Sequence, residues 1–432
     1  MEPRDVKICI EEDRGTIRNG HIRCEALREG VLTFYRDDTV ILREYYRSER
    51  AHPSYGVCLE LVARRFVPTE GDEYAVSAVF EANAREKIYG MGQYQMPELD
   101  RRGCILELAQ RNSQISVPFY LSNLGYGFLW NHPGVGKVMF GKNCTEWHTD
   151  AADELDYWIV ADETPKKILK SFTEVSGRAP DFLENALGLW QCKLRYLNQE
   201  EVLEVAREYH RRGLPLDVIV IDYFHWTERG DWKFDPQNFP DPKAMIDELR
   251  SMGTRCMVSV WPTVSQKSEN HPEMKEKSLL VRGQRGNDYG FQWMGACDFY
   301  DSTNPEARAY LWQQIKENYG QYGIDLFWLD IRLELRNYVA ALYREASENG
   351  SPLIRTIFYE FPEDPLCWEL EDQYMFGSKY LVSPVLYAGM TERTVYLPNG
   401  QWKDYHNSTV YRGGQMITVK TPIELMPVFA RV

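Results

Sequence analysis

Leu216-Asp-Val-Ile-Val-Ile-Asp222 decides the fold. Between its two carboxylates every residue is apolar and β-branched, which suits a strand buried on both faces rather than one alternating between core and water. Three further runs have the same character: Leu187–Cys192 (LGLWQC), Cys256–Trp261 (CMVSVW) and Asp325–Asp330 (DLFWLD). The segments between them carry helix punctuation. Asn198 with Glu201 is a capping box closed by Gly213, Asp241-Pro242 opens a second helix closed by Gly253, and Asn304-Pro305 opens a third ended by Gly320 or Gly323. Strand, helix, strand in succession predicts a parallel α/β domain. Its long strand-to-helix connection, Thr263 to Tyr300, carries Trp293 in a place where such loops usually carry function.

Outward from this centre the pattern changes. Residues 1–180 read as short strands broken by Gly, Pro, Asn and Asp, the mark of a β-sandwich, and end in a connector helix. That helix starts at Thr164-Pro165, sets Ile168, Leu169, Phe172 and Val175 on one face and stops at Gly177. After Asp330 the text gives one helix, about Leu335–Asn349 with Gly350 at its end, and then short strands. The expected organisation is α/β plus β: a sandwich over 1–180, a partial (β/α) barrel of about four units over 186–350, and a C-terminal β domain over 351–432. A closed barrel of eight units needs ~250 residues, and the stretch from Ala186 to Gly350 is far shorter. Four strands without closure should leave two unpaired edges and uncovered inner faces.

With 64 acidic against 50 basic residues the chain carries −14, a field that disfavours nucleic acid and anionic membranes as partners. No segment approaches the ~18–20 apolar residues of a membrane span, and the charged first twenty residues lack a signal peptide's apolar run. Nine scattered cysteines, without CxxC spacing, read as reduced thiols. Together these predict a cytoplasmic protein without metal or cofactor. Aromatic residues at 13% suit partners with flat apolar faces such as sugar rings, although large cores explain them equally.

Barrel-like enzymes work at the carboxyl ends of their strands, and that rim is well furnished here. Trp190 and Gln191 end the first strand, Asp222 the second, Trp261 the third, and Trp328 with Asp330 the fourth. A carboxylate there is desolvated by its neighbours yet open above, which suits a nucleophile or a clamp on hydroxyls. Each Asp has an alternative role in capping the next turn, and each Trp in core packing. Gly90-Met-Gly-Gln93 reads as a turn rather than a phosphate cradle, and His225 as a loop residue rather than a general base.

Several ordered motifs carry a resemblance: Tyr89-Gly-Met-Gly-Gln93, Ala186-Leu-Gly-Leu-Trp-Gln191, Leu216–Asp222 with Gly230-Asp-Trp-Lys-Phe-Asp235, Asp301-Ser-Thr-Asn-Pro-Glu-Ala-Arg308 and Phe327-Trp-Leu-Asp330. Together with Gly377–Val385 and Val395–Trp402, these resemble glycoside hydrolase family 31 along nearly the whole chain. The resemblance implies a retaining α-glycosidase acting on α-glucosides or α-xylosides, with Asp330 as nucleophile and Asp222 holding sugar hydroxyls. Trp261 and Trp328 would line the first sugar subsite, with Trp190 and Phe224 as further substrate-binding candidates. The Asp222-Tyr-Phe-His-Trp226 loop is most similar to the α-xylosidase branch.

One departure bears on chemistry. Asp330-Ile331 runs straight into Arg332-Leu-Glu-Leu, so the family's fifth to eighth strands, and the acid/base Asp among them, have no counterpart. The sequence therefore leaves open an internally shortened form of an active enzyme, a non-catalytic sugar-binding or regulatory protein, and a homo-oligomer whose partner completes the barrel.

Overall fold

The computed structural model describes residues 6–48, 60–69, 72–111, 113–179, 187–283, 286–288, 290–292, 294–327, 345–422 and 425–432. Contacts divide the chain into two units, one spanning Met1–Asp181 with Leu342–Val432 and the other Phe182–Ala341.

The first unit is built of antiparallel sheets. Five strands from Lys7 to Arg43 follow one another as a meander. A four-stranded sheet (Ile88–Gln93, Ile115–Ser122, Tyr126–Trp130, Tyr157–Ala161) shares a core with a five-stranded one that includes Tyr74–Glu81, Gly136–Phe140 and Cys144–Ala152. Alternation explains the core: Phe80, Phe128, Trp130, Phe140 and Trp147 point inward and are almost wholly buried. Gly90-Met-Gly-Gln93 lies inside a strand, not in a turn. It forms a bulge with positive φ at Gly90, Met91 and Gly92, and a Cβ on Gly92 would stand 2.1 Å from the Ile115 carbonyl. The helix Pro165–Ser176 is capped by Thr164 and packs Ile168 and Phe172 on this domain, while Val175 is exposed. The C-terminal stretch forms a six-stranded sheet and a separate pair, Glu392–Leu397 with Gln415–Lys420. Tyr89 belongs to that C-terminal core and donates its hydroxyl to the Trp368 carbonyl at 2.6 Å.

In the second unit, β1 (Trp190–Cys192), α1 (Gln199–Arg211), β2 (Val218–Ile221), α2 (Pro242–Ser251), β3 (Arg255–Val258), α3 (Pro305–Asn318) and β4 (Leu326–Phe327) alternate as the sequence pattern predicts. The sheet order is β1-β2-β3-β4 and every pairing is parallel. The caps work as read: Asn198 accepts the Glu201 amide, Asp241 the Ala244 amide and Asn304 the Glu306 amide.

Alternate residues of the strands serve two faces. Ile219, Ile221, Cys256 and Val258 pack with Val202, Leu203, Met245, Leu249 and Ile315 of the helices. Val218, Val220 and Met257 point the other way, with Trp190 and Leu326 against them. These three are 0%, 2% and 4% exposed, which corrects the expectation of an uncovered inner face. Among the described residues the parallel sheet has four strands, ending at β1 and β4. The Thr263–Tyr300 connection folds as a small antiparallel sheet (Thr263–Ser265, Ala296–Phe299, Phe291–Gln292) with a short helix, His271–Glu276.

Every cysteine among the described residues is a free thiol. No helix among them is long and apolar enough to cross a membrane.

Candidate active site

Strand parity sets the site. Asp222 follows Val218 and Val220 at spacing two, so it belongs to the face turned away from the helices, one step past the end of β2. Its carboxylate Oδ1 accepts the Tyr223 amide at 2.8 Å, and the group stays partly open to solvent. The chain then turns sharply, with Phe224 at φ 64, a left-handed conformation that costs a non-glycine residue ~1–3 kcal/mol.

His225 holds that turn in place. A backbone carbonyl only accepts, so the 3.0 Å contact to Asp222 O puts the proton on Nδ1, and Nε2 accepts the Tyr319 hydroxyl at 2.8 Å. The imidazole is 0% exposed, and this burial pushes its pKa down to about 4. His225 is therefore a neutral brace between the strand-end loop and the end of α3. The His225 carbonyl accepts the Asp235 amide at 2.7 Å, anchoring the other side of the loop.

Around Asp222 this loop assembles aromatic rings. Tyr223 stacks on Trp261 at 5.2 Å between centroids, Phe224 meets Tyr223 edge-on at 4.4 Å, and Trp226 meets Trp261 edge-on at 5.6 Å. The Arg195 guanidinium lies 5.0 Å from the centre of the Phe224 ring. Trp261 is fixed from behind, its carbonyl accepting the Trp232 indole N–H at 3.0 Å. Trp232 is 1% exposed and adopts φ 45.

The Gly230-Asp-Trp motif ties this rim to the insertion. Thr227 donates to Asp231 Oδ2 at 2.5 Å, and Asp231 Oδ1 accepts the Glu269 amide at 3.0 Å. Asn270 donates to the Gly230 carbonyl at 2.8 Å, and Arg229 to the Met294 carbonyl at 2.8 Å. Gly230 is required at φ 96, since a Cβ there would lie 2.8 Å from Val264. Buried His271 and Asp298 pair at 2.8 Å within the insertion.

Of the residues singled out from sequence, Asp222, Phe224 and Trp261 come together. Trp190 opens β1 rather than ending it: it is the Cα partner of Val218, four residues before Asp222, and packs against the face beneath the rim. The short strand begins three residues later than its apolar run suggests. Trp328, Asp330 and Trp293 lie outside the described residues. Tyr223, Trp226, Trp232 and Ser259 stand inside motifs and runs quoted from the sequence, but nothing there marks them as site residues. Counting in twos from Met257, buried on the inner face, marks Ser259 and Trp261 together.

No group of three His, Cys, Asp or Glu side chains among the described residues could hold a metal. The chemistry on offer is an acceptor for hydroxyl protons set among aromatic faces, which fits a polyhydroxylated ring with apolar C–H faces.

Residues 181–407 match the model described as the glycosyl hydrolases family 31 TIM-barrel domain. The chain is 49% identical to the family 31 glucosidase ORF2 of Pseudescherichia vulneris, over 76% of this chain and 64% of that protein. Its identity to α-xylosidase A of Aspergillus niger is 34%, over 73% of this chain and 44% of that protein. The chain thus spans less than two thirds of the length of these curated relatives. Among solved structures, a family 31 α-xylosidase from a soil metagenome, complexed with xylose, superposes with a TM-score of 0.93 at 32% identity, covering 100% of this chain and 91% of that one.

Proposed function

The chain belongs to glycosyl hydrolase family 31, and from that premise we propose that it binds α-xylosides or α-glucosides at the strand-end rim, with Asp330 as the retaining nucleophile. The observation that carries this reading is the setting of Asp222, a partly open carboxylate at the end of β2 beside the stacked pair Tyr223 and Trp261. Asp222 would accept protons from sugar hydroxyls while Trp261 and Phe224 cover apolar ring faces, with Trp328 and Trp190 as further candidates. We place xylosides first, because the loop from Asp222 to Trp226 sets phenyl and indole groups around Asp222 and relatives named α-xylosidase match this chain at 34% and 32% identity.

Turnover is a separate matter. Retaining hydrolysis needs two carboxyls ~5–5.5 Å apart, one attacking the anomeric carbon and one protonating the leaving oxygen. Asp330 runs directly into Ile331 and Arg332, and no residue is assigned the acid's role. Asp222 is no substitute: it serves the hydroxyls as an acceptor, which is the opposite task. Loss of general-acid help costs typically 10²–10⁴-fold. We therefore propose an incomplete barrel of about four βα units that retains sugar binding and hydrolyses ordinary glycosides slowly or not at all. The direct run from Asp330 into Arg332 also supports the alternative of a non-catalytic carbohydrate-binding or regulatory protein.

An activated fluoroglycosyl fluoride separates these roles, because fluoride departs without a proton. The wild-type chain should become labelled at Asp330, as read by mass spectrometry, and Asp330→Asn should not. Labelling that persists in the Asn variant shows that the nucleophile is another residue. Titration of isoprimeverose and maltose should give millimolar or tighter binding to the wild-type chain; no binding of either sugar sinks the reading.

A further inference from the structure

The ladder that delivers Asp222 to the rim delivers a second polar side chain beside it. Ile221 is the Cα partner of Val258, and the pairing continues one rung further, where the Ser259 amide donates to the Ile221 carbonyl at 3.0 Å. Asp222 and Ser259 therefore stand abreast at the strand ends. Parity with Val220 and Met257 turns both side chains to the face away from the helices.

Ser259 is 1% exposed, and its hydroxyl has no hydrogen-bond partner among the described residues. The indole N–H of Trp226, 6% exposed and edge-on to Trp261, is likewise without a partner among the described residues. A buried polar group left this way forfeits the water it gave up; Trp130 and Trp147 of the N-terminal domain share that state, and what sets Ser259 apart is its place abreast of Asp222. An alanine or cysteine would fill position 259 without that loss. Both unsatisfied groups belong to the elements that form the aromatic rim.

Resting on the sugar-binding reading, we infer that Ser259 is a ligand-binding residue that holds a pyranose hydroxyl jointly with Asp222, with Trp226 Nε1 as a further donor. The division of labour follows from the groups. A carboxylate only accepts, so Asp222 takes the proton of one hydroxyl, whereas a serine hydroxyl can donate to the lone pair of that oxygen or of its vicinal neighbour. The ligand class is a six-membered ring bearing a vicinal diol.

The test is calorimetric titration of xylose and isoprimeverose into the purified chain, as wild type, Ser259→Ala and Trp226→Phe, with a urea midpoint for each. Ser259→Ala should weaken binding about 3- to 10-fold, the loss of one hydrogen bond, with the midpoint unchanged or raised. Trp226→Phe, which keeps a ring and removes the N–H, should weaken binding by a similar factor. Wild-type affinity in Ser259→Ala overturns the inference and leaves the sugar-binding reading standing. Weaker binding accompanied by a lowered midpoint also overturns it, since the hydroxyl is then structural. A wild-type chain that binds neither sugar at millimolar concentration takes down both.

Discussion

Glu86 and Asp222 are both carboxylates placed among aromatic rings beside a strand end, and their surroundings differ in one respect. Glu86 lies in the N-terminal β domain, buried, accepting from Ser122 Oγ at 2.7 Å and from the Tyr126 hydroxyl. Tyr126 in turn meets the Tyr120 hydroxyl at 3.0 Å, so each member of that network has a partner within the protein. Around Asp222 the polar groups are only half used. Its carboxylate is partly open, and Ser259 Oγ and Trp226 Nε1 are buried without partners among the described residues. A closed network specifies a core, while under the proposed sugar-binding reading the unfinished one beside Asp222 leaves hydrogen bonds for a ligand.

The two networks should respond to acid in opposite directions, and this gives the largest expected effect. His225 has its pKa lowered by burial to about 4, against 6.5 for an unburied imidazole. Between those values the unfolded chain binds a proton that the folded chain refuses. The brace therefore contributes stability that is fully present above pH 6.5 and lost as pH falls toward 4, on the order of 3 kcal/mol across the window. Glu86 has its pKa raised, mainly by burial, so its contribution is present at low pH and declines as pH rises through the folded value. Denaturation midpoints between pH 4 and 7 should show a flatter acid limb for His225→Gln than for wild type. For Glu86→Gln the decline toward neutral pH should shrink. If His225→Gln keeps the wild-type slope, the neutral brace is misassigned.

Next in size is binding. Asp222→Asn replaces a charge-assisted hydrogen bond worth ~1.5–3 kcal/mol, so xylose affinity should fall about 10- to 100-fold, while Glu86→Gln leaves affinity unchanged. Equal affinity in the two variants removes the distinction between the networks.

The same exchange of serine for alanine then measures closure directly. Ser122 donates to Glu86 and accepts the Leu124 amide at 3.2 Å, so Ser122→Ala breaks two contacts in a dry setting and should cost ~1–3 kcal/mol by urea unfolding. Ser259→Ala should cost nothing.

Much of this architecture is legible before any coordinates, for identifiable reasons. Val218 to Ile221 can only be a doubly buried strand, and Asn198, Asp241 and Asn304 each start a helix because their side chains satisfy an amide within the next turn. These signals are local. The brace is not: His225 meets Tyr319, 94 residues later in the chain, and nothing beside either residue announces the other. Ser259 is hidden for a different reason, since a serine after an apolar strand looks like a turn residue until the ladder shows it abreast of Asp222. Trp190 differs in the reverse sense, because its run suggests a strand end while its pairing with Val218 sets it at the start of β1.

The smallest expected effect tests how far the brace depends on its second partner. Tyr319 is wholly buried just after α3, and its hydroxyl donates to His225 Nε2 while the ring contacts Phe327 of β4. Tyr319→Phe keeps the ring and removes only the donor, leaving a buried acceptor unpaired at a cost of about 1 kcal/mol. The imidazole then has less reason to remain neutral, so its pKa should move up toward 6.5 and the acid limb should shorten from its low-pH end. Sugar affinity should change little, since Nδ1 still holds the Asp222 carbonyl. A histidine NMR titration of the variant checks the shift; a pKa that stays at the wild-type value means burial alone keeps the ring neutral, and the hydroxyl of Tyr319 only fills space.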